Sequence, residues 1–383
     1  MKRIFLLALI IIAGTLTAQD VVYIRVFAHL KVNSATFAVE KSSYAIYGDD
    51  KMILKNNGET ILKLSAVNDS VEVKSFETVY GKYKSVKMVS ENGEMKVKLI
   101  DPDRKQRIYP DNYTVSNELG NLKLINEVKL DNYIAGVVEA ESGVRSAPEF
   151  YKVQAILART FALAHINKHL AEGFSLCDQV HCQAYYGKPR FEGITEMVLD
   201  TKGKVVVDEN LNLIVAAFHS NSGGQTANSE DVWGARTSYL RSVNDTFSTK
   251  MPNYRWERKM PVDDWLSYLK LKHNYPIDDS GAKATALNFK QDTRKVYLEA
   301  SNVKVPLKNI RQDLQLKSTY FNITKDGDQV IFEGKGYGHS VGMSQEGAMR
   351  MTKLGYSYTD VLNFYYRNIQ IIDMRKLAFF RDE

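Results

Sequence analysis

Residues 146–169 read SAPEFYKVQAILARTFALAHINKH, and the order of apolar residues in this stretch predicts the central helix of the fold. Ser146 and Glu149 have the spacing of a capping box, and Pro148 suits a first turn, so we expect a helix from about 147 to 169. Apolar side chains recur at helical spacing along one face, and alanines line a second face that another element can approach closely. This helix is predicted to be buried on most sides.

Arg159 and Gln154 are polar residues inside this apolar helix. A buried guanidinium is costly unless a carboxylate or several carbonyls meet it, so Arg159 must have a partner. The partner could make a structural ion pair, or the arginine could orient a catalytic carboxylate. The sequence leaves both interpretations open.

Short alternating runs on either side of this helix are typical of strands. They lie at 21–26, 43–47, 95–100, 122–130, 203–207, 213–218, 295–299 and 329–333, with further helices predicted at 262–271, 344–354 and 359–366. The predicted fold class is α+β. We expect a β-rich N-terminal module at 19–120, a mixed α/β catalytic region at 121–372 built around the buried helix, and a C-terminal tail at 373–383.

The chain has 383 residues, of which 44% are hydrophobic and 25% charged, so it can bury a large core. Its net charge of +6 is spread along the chain, which argues against nucleic acid as a partner. The first 18 residues combine basic residues, a short apolar run and a small-residue end, the layout of a signal peptide. An uncleaved anchor is disfavoured because a membrane span needs roughly 20 apolar residues. We therefore expect export to the periplasm or cell envelope, with no membrane span in the mature chain.

Two glutamates, Glu139 and Glu141, lie two positions apart just before the central helix. In a strand they would point to one face, whereas in a short helix capped by Asp131 they would diverge by about 200°. Glycoside cleavage requires a carboxyl with a raised pKa, and apolar surroundings raise it. Glu141 follows Val137 and Val138 and is the candidate acid, although a glutamate beside a helix start is more often a cap or a surface residue.

The sequence CDQVHC, which begins at Cys177, is a second candidate site. Cys177 and Cys182 could form a disulfide, or could bind Zn²⁺ with His181 and either His169 or His165. A cysteine nucleophile is disfavoured because no third orienting group is evident. For an exported protein, the disulfide and the zinc site both remain open.

Two polar, glycine-rich segments complete the candidate sites. FHSNSGGQT at 218–226, with Trp233 close behind, suits hydrogen bonding and ring stacking against a sugar, although an ordinary turn beside a core tryptophan fits equally well. GKGYGHSVGMSQEGA at 334–348 lacks the ending of a nucleoside-triphosphate loop and is predicted to approach a cleft. The expected substrate-binding residues are Arg159, His219, Ser220, Ser222, Gln225, Trp233, His339, Ser344 and Gln345.

In their order along the chain, these segments resemble the stage II sporulation protein D family (SpoIID/LytB). The matching motifs cover roughly residues 21 to 370. They are NEVKLDNYIAGVV at 126–138, KVQAILARTFA at 152–162, LCDQVHCQAYYG at 176–187, HSNSGGQT at 219–226, DVW at 231–233, LQLKSTYF at 314–321 and GYGHSVGMSQ at 336–345.

The resemblance implies a peptidoglycan lytic transglycosylase that cleaves between N-acetylmuramic acid and N-acetylglucosamine in glycan strands stripped of stem peptides. Glu141 would be the single acid/base, and the substrate's own 6-hydroxyl would displace the leaving group to give 1,6-anhydro products. Catalysis would need no cofactor. Some family members hold zinc at the Cys/His loop, which would assign Cys177, Cys182, His181 and His169 as ligands. A cell-wall amidase is an expected partner.

The chain departs from the family pattern at two places. Family members usually follow the catalytic glutamate with Met-Pro, whereas Ser142 and Gly143 follow Glu141 here. The family's Gly-His-Gly is Gly-His339-Ser340 here. Two alternatives to the enzyme therefore remain: a non-catalytic glycan-binding or amidase-modifying protein on the same fold, and an envelope scaffold stabilised by zinc or a disulfide.

Overall fold

The structure is a computed structural model that describes residues 21–381, and the predicted signal peptide at 1–18 lies outside the described residues. Strands dominate up to residue 129. They are β1 (Val21–Val26), β2 (Ser34–Lys41), β3 (Tyr44–Gly48), β4 (Lys51–Asn56), β5 (Leu62–Val67), β6 (Ser70–Lys74), β7 (Val79–Tyr83), β8 (Ser85–Val89), β9 (Glu94–Asp101), β10 (Arg107–Pro110), β11 (Asn112–Glu118) and β12 (Asn121–Lys129).

These strands form two sheets that pack face to face. One sheet has the order β1-β12-β11-β8-β3-β4, and the other has the order β10-β9-β2-β5-β6-β7. Strand β6 of the second sheet contacts β8 and β11 of the first. Alternate residues of β1, such as Val22 and Ile24, are fully buried between them. The strands predicted from alternating residues in this part of the chain are confirmed.

Helix α1 (Leu130–Ser142) continues directly from β12, and α2 (Pro148–Ala164), β13 (Leu176–Cys177), α3 (Glu192–Asp200) and β14 (Lys204–Val207) follow. Helix α2 is the predicted central helix and is buried along most of its length. Strand β13 pairs in parallel with β1 and becomes the edge of the first sheet. The N-terminal strands and the helices therefore share one core.

Arg159 is fully buried at the centre of this core. Its Nη2 donates to Asp131 Oδ1 of α1 at 2.9 Å and to the Val198 carbonyl of α3 at 3.3 Å. Its Nη1 donates to the carbonyls of Thr201 at 2.9 Å and Lys204 at 3.2 Å. The structural ion pair is confirmed. The expectation that Arg159 binds substrate directly is wrong, because no part of its side chain reaches the surface.

The predicted ends of α2 need correction. Ala147 occupies the cap position and makes no side-chain cap, so the capping box is absent. Glu149 instead accepts the backbone N–H of Tyr358 at 2.8 Å, a contact with a distant helix. The helix ends at Ala164 rather than His169, because His165 stacks on Phe161 with ring centroids 4.1 Å apart and the chain turns.

The remaining elements follow in chain order. They are β15 (Phe218–His219), α4 (Ser229–Trp233), β16 (Arg255–Pro261), α5 (Val262–His273), α6 (Ser280–Leu287), β17 (Asn288–Phe289), β18 (Tyr297–Ala300), β19 (Val303–Pro306), α7 (Leu307–Asp313), β20 (Phe321–Asp326), β21 (Gln329–Lys335), β22 (Met343–Ser344), α8 (Gln345–Lys353), α9 (Tyr358–Tyr365), β23 (Gln370–Asp373) and α10 (Met374–Arg381). The elements from β16 to β21 enclose a second core around Trp265.

Most later predictions are confirmed, including α5, α8, α9, β18 and β21. The strand predicted at 213–218 is wrong. Ile214 donates one backbone hydrogen bond to Val206, and the Ala217 N–H turns back onto the Val215 carbonyl, so only Phe218 and His219 pair as a strand. The α+β fold class is confirmed, while the domain boundary at 120/121 stays a prediction. None of the helices between residues 21 and 381 has the length and apolar character that crossing a bilayer requires.

Close packing of α1 depends on Gly136. A Cβ atom at this position would lie 2.2 Å from the Gly187 carbonyl oxygen and 2.5 Å from the Tyr185 ring. We expect Gly136→Ala to lower the free energy of unfolding by about 1–3 kcal/mol in urea denaturation, because backbone must move. Gly281→Ala, on the exposed helix α6, is the control and should be neutral or slightly stabilising. Equal stability of the two variants would contradict this account of α1.

Candidate active site

Glu141 lies in the last turn of α1, which ends at Gly143 with a φ of 67°. Its Oε1 accepts the backbone N–H of Ala184 at 3.2 Å. Burial raises the pKa of Glu141 above its ordinary value, and the Ala184 N–H opposes that shift. The negative end of the helix dipole also disfavours a carboxylate here. The site therefore favours the protonated carboxyl that a general acid needs.

Glu139 has a different environment, because α1 turns it by about 200° away from Glu141. Its Oε2 accepts the backbone N–H groups of Arg190 at 2.8 Å and Phe191 at 3.1 Å, at the start of α3. The helical alternative for this segment is thus the correct one. Glu139 anchors α1 to α3 with its carboxylate. Glu141 is therefore the better candidate of the two for an acid.

The Cys/His loop brings four potential metal ligands together. One ligand atom from each of His169, Cys177, His181 and Cys182 lies within 4.8 Å of the others. Cys182 Sγ is 3.5 Å from His169 Nε2, and Cys177 Sγ is 3.6 Å from His181 Nδ1. The two sulfur atoms are not bonded to each other. His165 is not part of this cluster; its ring stacks on Phe161, and its Nδ1 lies 2.9 Å from the Phe161 carbonyl oxygen.

This cluster fits the chemistry of zinc. Two sulfur and two imidazole ligands are a common tetrahedral set. His169 Nδ1 lies 2.6 Å from Glu172 Oε1, and that contact directs Nε2 towards Cys182. Carboxylate–histidine pairs of this kind orient metal ligands. Burial raises the pKa of the Cys182 thiol, so a nearby cation would be needed to hold it as thiolate.

The Cys/His loop is linked to the active site through consecutive residues. Cys182 is followed by Gln183, whose Oε1 accepts the Tyr133 hydroxyl of α1 at 3.2 Å, and then by Ala184, the donor to Glu141. On the other side, the buried carboxylate of Asp178 accepts the N–H of Phe27 at 2.7 Å. The loop thus joins β1 to the carboxyl of Glu141.

The two glycine-rich segments meet in a buried polar network. Ser222 and Ser344 are fully buried, and His219 is nearly so. The Ser222 hydroxyl donates to Asp245 at 2.7 Å, and Ser344 Oγ accepts the Gly347 N–H at the start of α8. The expectation that these three residues bind substrate is corrected, because they support the loops from beneath.

Other predicted binding residues reach the surface above this network. Trp233 is 45% exposed, so it is not a core tryptophan, and its ring lies 5.4 Å from that of His339. Ser220, Gln225 and Gln345 are partly exposed. Gln345 Nε2 donates to the carbonyl oxygen of Glu141 at 3.3 Å, which joins the start of α8 to the end of α1.

His339 is held as an oriented neutral imidazole. Its Nε2 donates to the Phe218 carbonyl at 2.9 Å, and its Nδ1 accepts the Val341 N–H at 3.1 Å. Burial lowers the pKa of His339 to about 4. Both ring nitrogens are engaged, so His339 contributes ring surface rather than a proton.

Several residues of the site were not singled out from the sequence. Asp131 was considered only as a cap, Asp178 was unremarked inside its motif, and the Ala184 N–H carries no side-chain signal. Tyr337 is 45% exposed next to His339, and its place in GYGH could have indicated a second aromatic surface. Asp245, buried beneath Ser222, lies in a segment without a motif.

Comparison with known proteins agrees with this arrangement. The family model described as "Stage II sporulation protein" matches residues 118–207, from the end of β11 to β14. Stage II sporulation protein D of Bacillus amyloliquefaciens is 31% identical over 263 residues, which are 64% of this chain and 75% of that protein. The chain belongs to the stage II sporulation protein D family.

Two further relatives extend the comparison. Stage II sporulation protein D of Bacillus subtilis (strain 168) is 30% identical over 265 residues, covering 64% of this chain and 75% of that protein. A protein of the same organism named amidase enhancer is 28% identical over 285 residues, covering 61% of this chain and 39% of its own length. The family is known for cell-wall-related function.

The departures from the family pattern have structural consequences. Gly143, where the family usually has proline, has a φ of 67° that proline cannot adopt. Ser340, where the family has glycine, has a φ of 68°, a conformation that costs a non-glycine residue energy. Arg294 Nη2 donates to Ser340 Oγ at 2.9 Å and helps to hold it there. The loop after Glu141 therefore differs from that of the usual family member, while the Ser340 loop tolerates its substitution.

The raised pKa of Glu141 predicts a pH-dependent effect on stability. A carboxyl whose folded-state pKa is raised destabilises the fold as pH rises from the ordinary value of 4.5 through the raised value. We therefore expect Glu141→Gln to gain stability relative to wild type as the pH rises above about 4.5, measured by thermal unfolding. Glu139→Gln is the matched control and should be destabilised at neutral pH, because its amide accepts weaker hydrogen bonds. A Glu141→Gln effect that does not change with pH would contradict the assignment.

Proposed function

We propose that this protein is a peptidoglycan lytic transglycosylase that cleaves the bond between N-acetylmuramic acid and N-acetylglucosamine, with Glu141 as its acid/base. The observation that carries the proposal is the environment of that carboxyl. It is partly buried, has a raised pKa, and accepts one backbone N–H among the described residues. Family membership and the partly exposed aromatic surface support the same conclusion.

In the first step the Glu141 carboxyl donates its proton to the glycosidic oxygen, and the bond from that oxygen to the muramic acid C1 breaks. The Ala184 N–H holds Oε1, so Oε2 is the oxygen left to carry the proton. As positive charge develops at C1, the new carboxylate of Glu141 stabilises it.

In the second step the 6-hydroxyl oxygen of the same muramic acid bonds to C1, and its proton passes to Glu141. This regenerates the acid and gives a 1,6-anhydro product without consuming water. The attacking group belongs to the substrate, so no second carboxylate is needed. The reaction therefore does not require Glu139, whose carboxylate binds backbone N–H groups at the start of α3.

Trp233 and Tyr337 are proposed to carry the glycan. Both rings are 45% exposed, and Trp233 lies against the His339 ring. Flat aromatic surfaces suit the apolar faces of sugars. Ser220 and Gln225 belong to the polar segment at 218–226, and Gln345 is the first residue of α8. All three are partly exposed, so they can hydrogen-bond to sugar hydroxyls.

We also propose that Cys177, Cys182, His181 and His169 hold a zinc ion. With four protein ligands the ion would supply a structural crosslink rather than Lewis-acid catalysis. The crosslinked loop would in turn hold Gln183 and Ala184, which follow Cys182 directly. The Ala184 N–H then positions the Glu141 carboxyl. The predicted signal peptide would deliver the protein outside the cytoplasm.

The activity test uses peptide-free glycan strands. Glu141→Gln is expected to lower release of 1,6-anhydro products by at least about 100-fold, the lower range for a general acid–base catalyst, while glycan binding is kept. Mass spectrometry of the products gives the measurement. Glu139→Gln is the control and should retain most activity if it still folds. Undiminished anhydro products from Glu141→Gln would remove Glu141 as the catalyst.

The metal test uses elemental analysis of purified protein. We expect about one zinc per chain, lost in Cys182→Ser and His169→Gln and kept in His165→Gln, since His165 stacks on Phe161. Glu172→Gln should weaken zinc binding about 10- to 100-fold, because it orients His169. A metal-free protein with both thiols protected from alkylation and a mass lower by two hydrogens would establish the disulfide instead.

A second candidate function is supported by the relative named amidase enhancer. On this proposal the protein binds glycan without cleaving it and acts on a cell-wall amidase. The altered backbone at Gly143, next to Glu141, favours this alternative over an unchanged active site. Wild-type protein that binds peptide-free glycan, releases no anhydro products and raises the rate of an added amidase would support it.

A further inference from the structure

Three arginines surround a surface hollow of about 560 Å³ on the loop that follows Trp233. Arg236 and Arg241 come from this loop, and Arg367 comes from the segment after α9. Two serines and two asparagines complete the lining. We call this hollow the arginine pocket. Its volume lies in the range of small-ligand sites, about 300–1,000 Å³.

The arginine pocket has an excess of positive charge. Arg241 is neutralised by Glu230, since its Nη1 donates to Glu230 Oε2 at 2.7 Å and its Nη2 bonds the other oxygen. Arg236 and Arg367 form no ion pair within residues 21–381, and no carboxylate of those residues lines the hollow. Asp231 lies near Arg241 and accepts the side-chain amide of Asn228 at 2.9 Å, so three arginines face two nearby carboxylates. The remaining positive charge in this concave site attracts an anion.

Part of the pocket is preformed, although the side chains of Arg236 and Arg367 are exposed. Arg367 follows the fully buried Tyr365 and Tyr366, its backbone N–H donates to the Tyr239 carbonyl at 3.1 Å, and its Nη2 lies 3.4 Å from the Ser242 carbonyl. Glu230 fixes Arg241 on the opposite wall. Groups held in place before binding lose little conformational entropy when a ligand arrives.

The position of the arginine pocket connects it to the proposed glycan surface. Arg236 follows Trp233 by three residues, so their Cα atoms are at most about 11 Å apart. Ser242 on the pocket wall also accepts the Gln225 side-chain amide at 3.3 Å, and Gln225 is one of the residues proposed to bind the glycan. A polymer lying across Trp233 could therefore place a substituent in the pocket.

We propose that the arginine pocket is a subsite for an oxyanion carried by the wall glycan, either a sugar-linked carboxylate or a phosphate ester. Planar guanidinium groups bind both anions through paired hydrogen bonds. This inference rests on the proposed glycan-binding function and adds a charge requirement to it. The glycan would be selected for an exposed anion as well as for its sugar faces.

The test measures binding by calorimetry in the Glu141→Gln protein, so that no probe is cleaved and loss of catalysis cannot be confused with loss of binding. Three probes are used: a peptide-free muramic-acid oligosaccharide with free lactyl carboxylates, the same oligosaccharide as its methyl ester, and a phosphate ester of N-acetylglucosamine. The added double substitution Arg236→Gln/Arg367→Gln removes the unpaired charges. The charge-matched control is Arg104→Gln with Lys105→Gln, on the exposed turn between β9 and β10.

The double substitution is expected to weaken binding of at least one anionic probe by at least about tenfold, while the control double substitution leaves it unchanged. A loss confined to the free carboxylate oligosaccharide, with weak binding of its ester, assigns the pocket to the lactyl group. A loss confined to the phosphate ester assigns it to a phosphate. Equal binding of both anionic probes by the double variant and its control overturns the proposal. Retained glycan binding in that case would leave the proposed function intact.

Discussion

The buried pair between Arg159 and Asp131 is the interaction on which the geometry of the site depends. It ties the first turn of α1 to α2, and the same guanidinium binds carbonyls at the end of α3 and in β14. Asp131 and Glu141 are ten residues apart on α1, a rise of about 15 Å, so fixing one end fixes the direction and rotation of the other. A buried ion pair contributes little net stability. Its role here is to fix how α1, α2 and α3 pack, because the hydrogen bonds of Arg159 require all three helices to be in place.

A second set of buried charges supports the opposite wall. Asp245 lies beneath Ser222, and burial raises its pKa, while Arg294 is held by the carbonyl of Gln225 and the hydroxyl of Ser340. Both side chains have several hydrogen-bond partners, which restrain the loops that they contact. The carboxyl of Glu141 and the exposed aromatic rings are thus held by two different sets of buried hydrogen bonds. Gln345 joins the two parts, because its side chain donates to the Glu141 carbonyl.

The sequence predicted what depends on local pattern. The alternation in β1 and the apolar stripe of α2 predicted these elements correctly, because an element that buries one face repeats apolar residues at its own period. Features set by distant partners were missed. Glu149 binds Tyr358 rather than capping its own helix. The run at 213–218 pairs only at its two ends, where Leu213 bridges Val207 and Phe218 pairs with Met343.

The candidate site shows the same division. The family motifs indicated Glu141 and the four potential metal ligands, which the fold brings into two groups. They did not indicate which residues of a motif face outward. Ser222 and Ser344 have the polarity of ligand-binding residues, yet they are fully buried, because their partners Asp245 and Gly347 lie beneath the loops. The second core around Trp265 was predicted only in part, as α5, β18 and β21, since its apolar residues are scattered along the chain.

The pairing of β1 with β13 has a consequence for how the protein folds. Asp178 holds the N–H of Phe27, a residue 151 positions earlier with a φ of 56°. That backbone conformation is unfavourable for an aromatic residue unless such a partner is present. The turn after β1 therefore depends on the docked Cys/His loop for its conformation. Because contacts of such long sequence separation form slowly, docking of the Cys/His loop against this turn should be among the later events of folding.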